Sequence, residues 1–127
     1  MYQIRKGWPS NGAIDEVFQA DTGETLAEGM IVAVKQHKAT VAATNAGTAS
    51  LAFVIGHEAQ RNTWTGLLSQ CVIECDADHY KDTDTYAAGD YVTVTNGKFA
   101  KGTSDNAVGR VLAYDAPMLR VLWYESK

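Results

Sequence analysis

The sequence predicts an all-β protein: a small β-barrel or β-sandwich of antiparallel hairpins, with an extended N-terminal arm and little helix. Three observations carry that expectation. Apolar residues recur with period two, as Val92 and Val94 do between Tyr91, Thr93 and Thr95, the spacing that lines one face of a strand. Runs of β-branched residues end at glycine, asparagine and aspartate, which supply turns. No long segment combines a helical period with capping residues at its ends.

The elements follow along the chain. Residues Met1 to Thr22 combine the turn-like Trp8-Pro9-Ser10-Asn11-Gly12 with large apolar groups at Tyr2, Ile4, Trp8 and Phe18. Pro9 has no amide hydrogen and excludes a central strand nearby. A disordered tail normally lacks such side chains, so this segment packs onto its own domain or onto a neighbouring subunit. We divide the chain into an N-terminal arm, residues 1–23, and a β-rich domain, residues 24–127. Strands are expected at Met30–Val34, Thr40–Thr44 and Ala52–Ile55, then at Cys71–Cys75, Val108–Tyr114 and Leu119–Tyr124. Asp115-Ala116-Pro117 forms the last turn. The best helix candidate is a turn or two over Thr63–Gln70, weakened by Gly66. Asn96-Gly97 between Tyr91–Thr95 and Lys98–Lys101 marks a hairpin, because a type I′ turn needs positive φ at both central residues.

Two segments look alike. Ala27-Glu28-Gly29-Met30-Ile31-Val32-Ala33-Val34 resembles Ala87-Ala88-Gly89-Asp90-Tyr91-Val92-Thr93-Val94. Each precedes a hydrophobic pair with glycine, Val54-Ile55-Gly56 and Ala107-Val108-Gly109. One reading is a duplicated β-module; the other is that small barrels reuse the same turn-then-strand grammar.

The bulk properties narrow the function classes. With 127 residues, of which 46% are hydrophobic and 20% charged, the chain suits one domain with a real core. A net charge of -4 and scattered basic residues argue against a nucleic-acid partner. The N-terminus lacks a signal peptide's apolar core, and no apolar run is long enough for a bilayer. Synthesis in a cytoplasm and no membrane partner are the expectation. Cys71 and Cys75 give no disulfide framework. On one extended strand their Cα atoms lie about 13 Å apart, beyond disulfide reach, so two free thiols on a buried face are expected.

The densest polar cluster is Cys71, Cys75, Asp76, Asp78, His79, Asp82 and Asp84. Cys71, Cys75 and His79 lack a zinc-finger or ribbon spacing and a fourth ligand. The aspartate pairs suggest calcium, but an EF-hand loop needs glycine at its sixth position, where Lys81 stands. A solvated acidic loop without metal is the simpler reading. His57-Glu58 could exchange a proton, yet no nucleophile motif, phosphate loop or His-Glu-x-x-His accompanies it. His37, His57 and His79 read as surface histidines at loop ends. Most of Trp8, Trp64, Trp123, Tyr80, Tyr86, Tyr91, Tyr114 and Tyr124 suit core and cross-strand packing. Some could anchor a sugar or protein face. Trp64, among Asn62, Thr63 and Thr65, is the ring expected on an exposed surface or subunit contact.

The glycine-launched strands, then Asn96-Gly97-Lys98-Phe99, then Ala107-Val108-Gly109-Arg110-Val111-Leu112-Ala113, resemble the head decoration, or cement, proteins of tailed bacteriophages over roughly Glu24 to Tyr124. The resemblance implies a homotrimer that caps three-fold sites on the outside of an expanded capsid. It implies an N-terminal arm reaching a neighbouring capsid subunit, a location on the virion's outer surface, no cofactor and no enzymatic activity. Its partners are then the major capsid protein and further copies of itself. The arm here is short, and no capsid-contacting residue matches one for one. Tyr2, Ile4, Trp8 and Trp64 are our candidate capsid or subunit contacts. Two alternatives stand beside this one: another phage structural component, such as a head-completion or tail protein, and a carbohydrate-binding β-module using Trp64 and tyrosines.

Overall fold

A computed structural model describes residues 2–7, 15–43, 50–68 and 71–123. Their regular structure is entirely β, without helix. The strands are β1 (Tyr2–Gly7), β2 (Asp15–Ala20), β3 (Ile31–Lys35), β4 (Lys38–Val41), β5 (Ser50–Glu58) and β6 (Thr63–Leu67). They continue with β7 (Cys71–Cys75), β8 (Tyr91–Thr95), β9 (Lys98–Lys101), β10 (Gly109–Asp115) and β11 (Met118–Trp123). The order β2-β4-β3-β5-β6 closes a five-stranded barrel, and β1-β7-β11-β10-β8-β9 forms a six-stranded sheet.

Local backbone preference makes the hairpins. Between β8 and β9, Asn96 and Gly97 have φ of 49° and 80°, and Thr95 faces Lys98. This is the expected type I′ turn, whose twist matches its strands. Between β3 and β4, Gln36 and His37 adopt the same geometry, with φ of 51° and 64°. Gln36 does not favour that region, although His37 tolerates it better than most residues, and the pair lacks the Asn-Gly or Asp-Gly signature that marks such a hairpin in a sequence.

The two halves follow one plan. Strands β2 to β6 and β7 to β11 repeat the same five-strand order, each with a left-handed glycine just before its second strand. Gly29 and Gly89, at φ 84° and 92°, donate their N–H groups to Val54 O and Val111 O, both at 2.8 Å. The same valines donate back to Met30 O at 2.9 Å and Asp90 O at 2.8 Å. Each half then has a type I′ hairpin and a register shift, between Val54 and Gly56 on β5 and between Val111 and Ala113 on β10. Ile55 and Leu112 are therefore matching bulge residues. Each half also has a parallel contact to its third strand, the Ala20–Ala39 pairing that closes the barrel in the first and the isolated Tyr80–Phe99 bridge in the second. The matching bulge and parallel contact extend the likeness beyond shared turn grammar, so the two halves are structurally corresponding modules. The counterpart of Val54-Ile55-Gly56 is Val111-Leu112-Ala113 rather than Ala107-Val108-Gly109.

A turn of the second module joins it to the first. Gly97 O accepts from Ile31 N–H at 2.9 Å, and Gly97 N–H donates to Ala42 O at 2.7 Å. Asn96 N–H donates to Ala43 O at 3.1 Å. Strands β3 and β5 consequently face two cores. Val32, Ala52 and Val54 cluster with Phe18, Leu26 and Ala39 in the first module. Ile31, Leu51 and Phe53 join Phe99, Val121 and Trp123 in a core shared by both. Burial on both faces explains the unbroken apolar run Leu51-Ala52-Phe53-Val54.

Other expectations meet the structure unevenly. The helical turn expected near Thr63–Gln70 is instead strand β6, held between β2 and β5; partners distant in sequence override a weak local preference. Within residues 1–23, β1 pairs with β7 and β2 joins the barrel, so the described parts of this segment pack on their own chain. Thr44 and Tyr124, the expected ends of two strands, lie outside the described residues.

The turn contact sets a prediction. A Cβ on Gly97 would lie 3.0 Å from both Met30 Cγ and Val41 Cγ1, whereas one on Gly23, at φ +83°, meets open space. Alanine at either position takes on left-handed strain of about 1–2 kcal/mol. Overpacking adds about 1–3 kcal/mol at Gly97 alone. Urea unfolding should show Gly97→Ala clearly less stable than Gly23→Ala; equal losses would contradict the tight seating of this turn.

Candidate interaction surface

Tyr2 opens β1 and is half-buried. Its ring meets Phe53 edge-on at 5.2 Å and His79 at 5.8 Å. Its hydroxyl proton is shared between Glu28 Oε1 and Ile55 O, each at 3.1 Å. Tyr2 thus straps the second module's sheet to the first module's glycine turn and bulge. Burial, reinforced by the Glu28 carboxylate, pushes this hydroxyl up to about 12. Ile4 pairs with Ile73 through the backbone, and Trp8 lies outside the described residues.

Trp64 is half-buried on β6 rather than openly exposed. Its ring stacks on His57, with centroids 4.0 Å apart and planes 20° from parallel. His57 Nε2 lies 2.9 Å from Asn62 Oδ1, so the pair is fixed at one end of the β5–β6 hairpin. With His57 on one face, Trp64 does not present an open platform for stacking a sugar ring. Tyr80, Tyr86 and Tyr114 pack on one another with centroids 5.3 to 6.0 Å apart. Tyr80 and Tyr86 place their hydroxyls on the carbonyls of Pro117 and Lys81, both at 2.8 Å.

The cysteine–aspartate cluster disperses into structural contacts. Cys71 and Cys75 are buried free thiols, and burial pushes both up to about 12, leaving almost no free thiolate for nucleophilic attack. Asp76 Oδ1 accepts from Asp78 N–H at 3.1 Å, and Asp84 Oδ2 accepts from Lys101 N–H at 3.1 Å. His79 is drawn inward, with Nδ1 3.1 Å from Gly29 O. A Cβ on Gly29 would lie 2.3 Å from the His79 ring, so this glycine serves close packing as well as its turn. Among the described residues, no three His, Cys, Asp or Glu side chains converge as a metal site. The cleft beside His79, lined by Glu28, Asn96 and Lys98, measures about 140 Å³, smaller than a typical small-molecule site.

Sequence reasoning missed two surface features. Val17 on β2 and Leu112 on the β10 bulge are 53% and 45% exposed, the exposed large hydrophobics of the described residues. Leu112 follows from a bulge, which shifts register without a composition signal. No described helix is long and apolar enough to cross a membrane.

His79 gives a pH prediction. Burial holds its imidazole below the ordinary value, so the unfolded chain takes up a proton first on acidification. Stability is then retained above about pH 6.5 and declines as the pH falls through that value. His79→Gln should reduce the slope of urea-unfolding free energy between about pH 7.5 and 5.5; an unchanged slope contradicts the assignment. Comparison with known proteins supplies no relative: no protein-family model, curated protein or solved structure matches this chain.

Proposed function

We propose that this chain is a virion structural protein, a capsid decoration or cement protein that binds the outside of a phage head and stabilises the expanded lattice. In this reading it acts as a homotrimer, its partner is the major capsid protein, and it performs no catalysis. The observation that carries the reading is the place of β1. It is the outermost strand of the six-stranded sheet, and its outer edge faces no strand among the described residues. Such an edge can pair with an extended segment of another protein through main-chain hydrogen bonds. The groups suited to chemistry support the same reading: the thiols are buried, His57 is stacked and His79 is turned inward. A net charge of -4 suits a piece that stays soluble until it meets its lattice.

Expanded heads lacking the protein test this directly. Added protein should co-sediment with them saturably and raise the temperature at which they rupture. Deleting Met1–Ser10 should remove that gain, with circular dichroism used to confirm retained β-structure. A strict monomer in sedimentation that leaves heads unbound overturns the proposal.

A further inference from the structure

The receiving side of the contact between modules recurs, unfilled, on the second module. Within the chain, the Asn96-Gly97 turn is received by Ile31 N–H and the carbonyls of Ala42 and Ala43. Matching the glycine turns and bulges makes Tyr91, Gly102 and Thr103 the counterparts of these residues. One hydrogen bond checks the match: Ala42 N–H donates to Ile31 O at 3.2 Å, and Gly102 N–H donates to Tyr91 O at 2.9 Å. Strand parity directs Tyr91 N–H and Gly102 C=O toward one gap. Among the described residues, neither group has a hydrogen-bond partner. The counterpart of the inserted turn is Gln36-His37, which has the same left-handed geometry and is exposed at both residues.

The uncovered apolar residues fall on the same surfaces. Ile55 is half-buried against the shared core, with its carbonyl held by Tyr2, while its counterpart Leu112 is 45% exposed. Val17 is 53% exposed; its counterpart, Glu74, is half-buried beside β1. Each exposed residue therefore marks a place that is covered in the other module.

We propose that the first module of one copy inserts its Gln36-His37 turn into the Tyr91–Gly102 gap of a second copy, repeating between chains the contact that joins modules within one. His37 N–H then donates to Gly102 O, as Gly97 N–H does to Ala42 O. Tyr91 N–H donates to His37 O, which already accepts from Gln19 N–H at 2.9 Å and has a second lone pair. Thr103 O accepts from Asn106 N–H at 3.3 Å, so the third bond of the internal contact is shared. The side chains change to suit. Met30 and Val41 leave little room beside Gly97, and their counterparts are Asp90 and Lys101, an ion pair at 3.6 Å between a half-buried carboxylate and an exposed lysine. His37, flanked by Lys35 and Lys38, meets the Asp90 carboxylate there. This head-to-tail contact joins unlike surfaces, so it either closes into a ring or continues as a filament. Closure after three copies gives the homotrimer proposed above, and the inference rests on that self-association.

Two full-length variants test it, Gln36→Cys in one chain and Thr103→Cys in the other. Their counterparts meet in the internal contact through a backbone hydrogen bond, Asn96 N–H to Ala43 O at 3.1 Å, which places the two residues side by side as a disulfide requires. Mild oxidation should yield disulfide-linked dimers in the mixture and only background levels with either variant alone, with melting temperatures matching the parent chain. Absence of mixture-specific dimers overturns the proposal. A trimer in sedimentation without that cross-link removes this contact and leaves the capsid reading standing. A monomer without the cross-link that also fails to bind heads removes both.

Discussion

The fold depends on three backbone hydrogen bonds, those by which Asn96-Gly97 enters the end of the β3–β4 pair. A unit of one module's size is marginal by itself, because a domain of about 60 residues buries only about 60% of its surface. Here Ile31, Leu51 and Phe53 present a second apolar face that needs a cover. The turn brings that cover into place. It also satisfies Ile31 N–H and Ala42 C=O, which would otherwise be left unpaired at the edge of a core, at about 1–3 kcal/mol each. A Cβ at Gly97 would press on Met30 and Val41 at 3.0 Å, so glycine suits both the turn and its seat. The same dipeptide therefore forms the hairpin and joins the modules.

This economy has a consequence at the surface. Side chains that would ordinarily attract a functional reading are occupied in holding the modules together or in bracing one of them. Tyr2 straps the sheet to the bulge, His79 fills the space above Gly29, and Asp84 holds the β9 backbone. The outer surface then offers strand edges, a turn-receiving gap and two isolated apolar residues. Those features suit association with repeated protein surfaces, which is the physical basis of the capsid proposal.

Much of this was legible in the sequence, for identifiable reasons. The Asn96-Gly97 hairpin and the strand Cys71–Cys75 appear at the expected residues, because type I′ turns and β-branched runs are encoded locally. The repeat was visible only at its glycine turns, where backbone geometry restricts residue choice. Its bulge and parallel contact carry no residue signature, so Val54-Ile55-Gly56 was matched to the wrong segment. Strand β6 was hidden because Trp64 and Gly66 are stabilised by β2 and β5 rather than by local preference. The Trp64 surface expectation followed its polar neighbours, but His57, brought across the hairpin, covers one face of the ring. The gap beside Tyr91 has no signature in sequence either, since it is made of backbone groups and becomes apparent by comparing the modules.

Native-state hydrogen exchange tests the central claim, that two modules form one cooperative unit through the turn. The amides of Ile31 and Gly97, bonded across the module boundary, should exchange only through global unfolding. They should share one opening free energy and one denaturant dependence with Val54 in the first module and Val121 in the second. If the boundary amides open with a shallow denaturant dependence while either module stays protected, the modules are independent and the account fails.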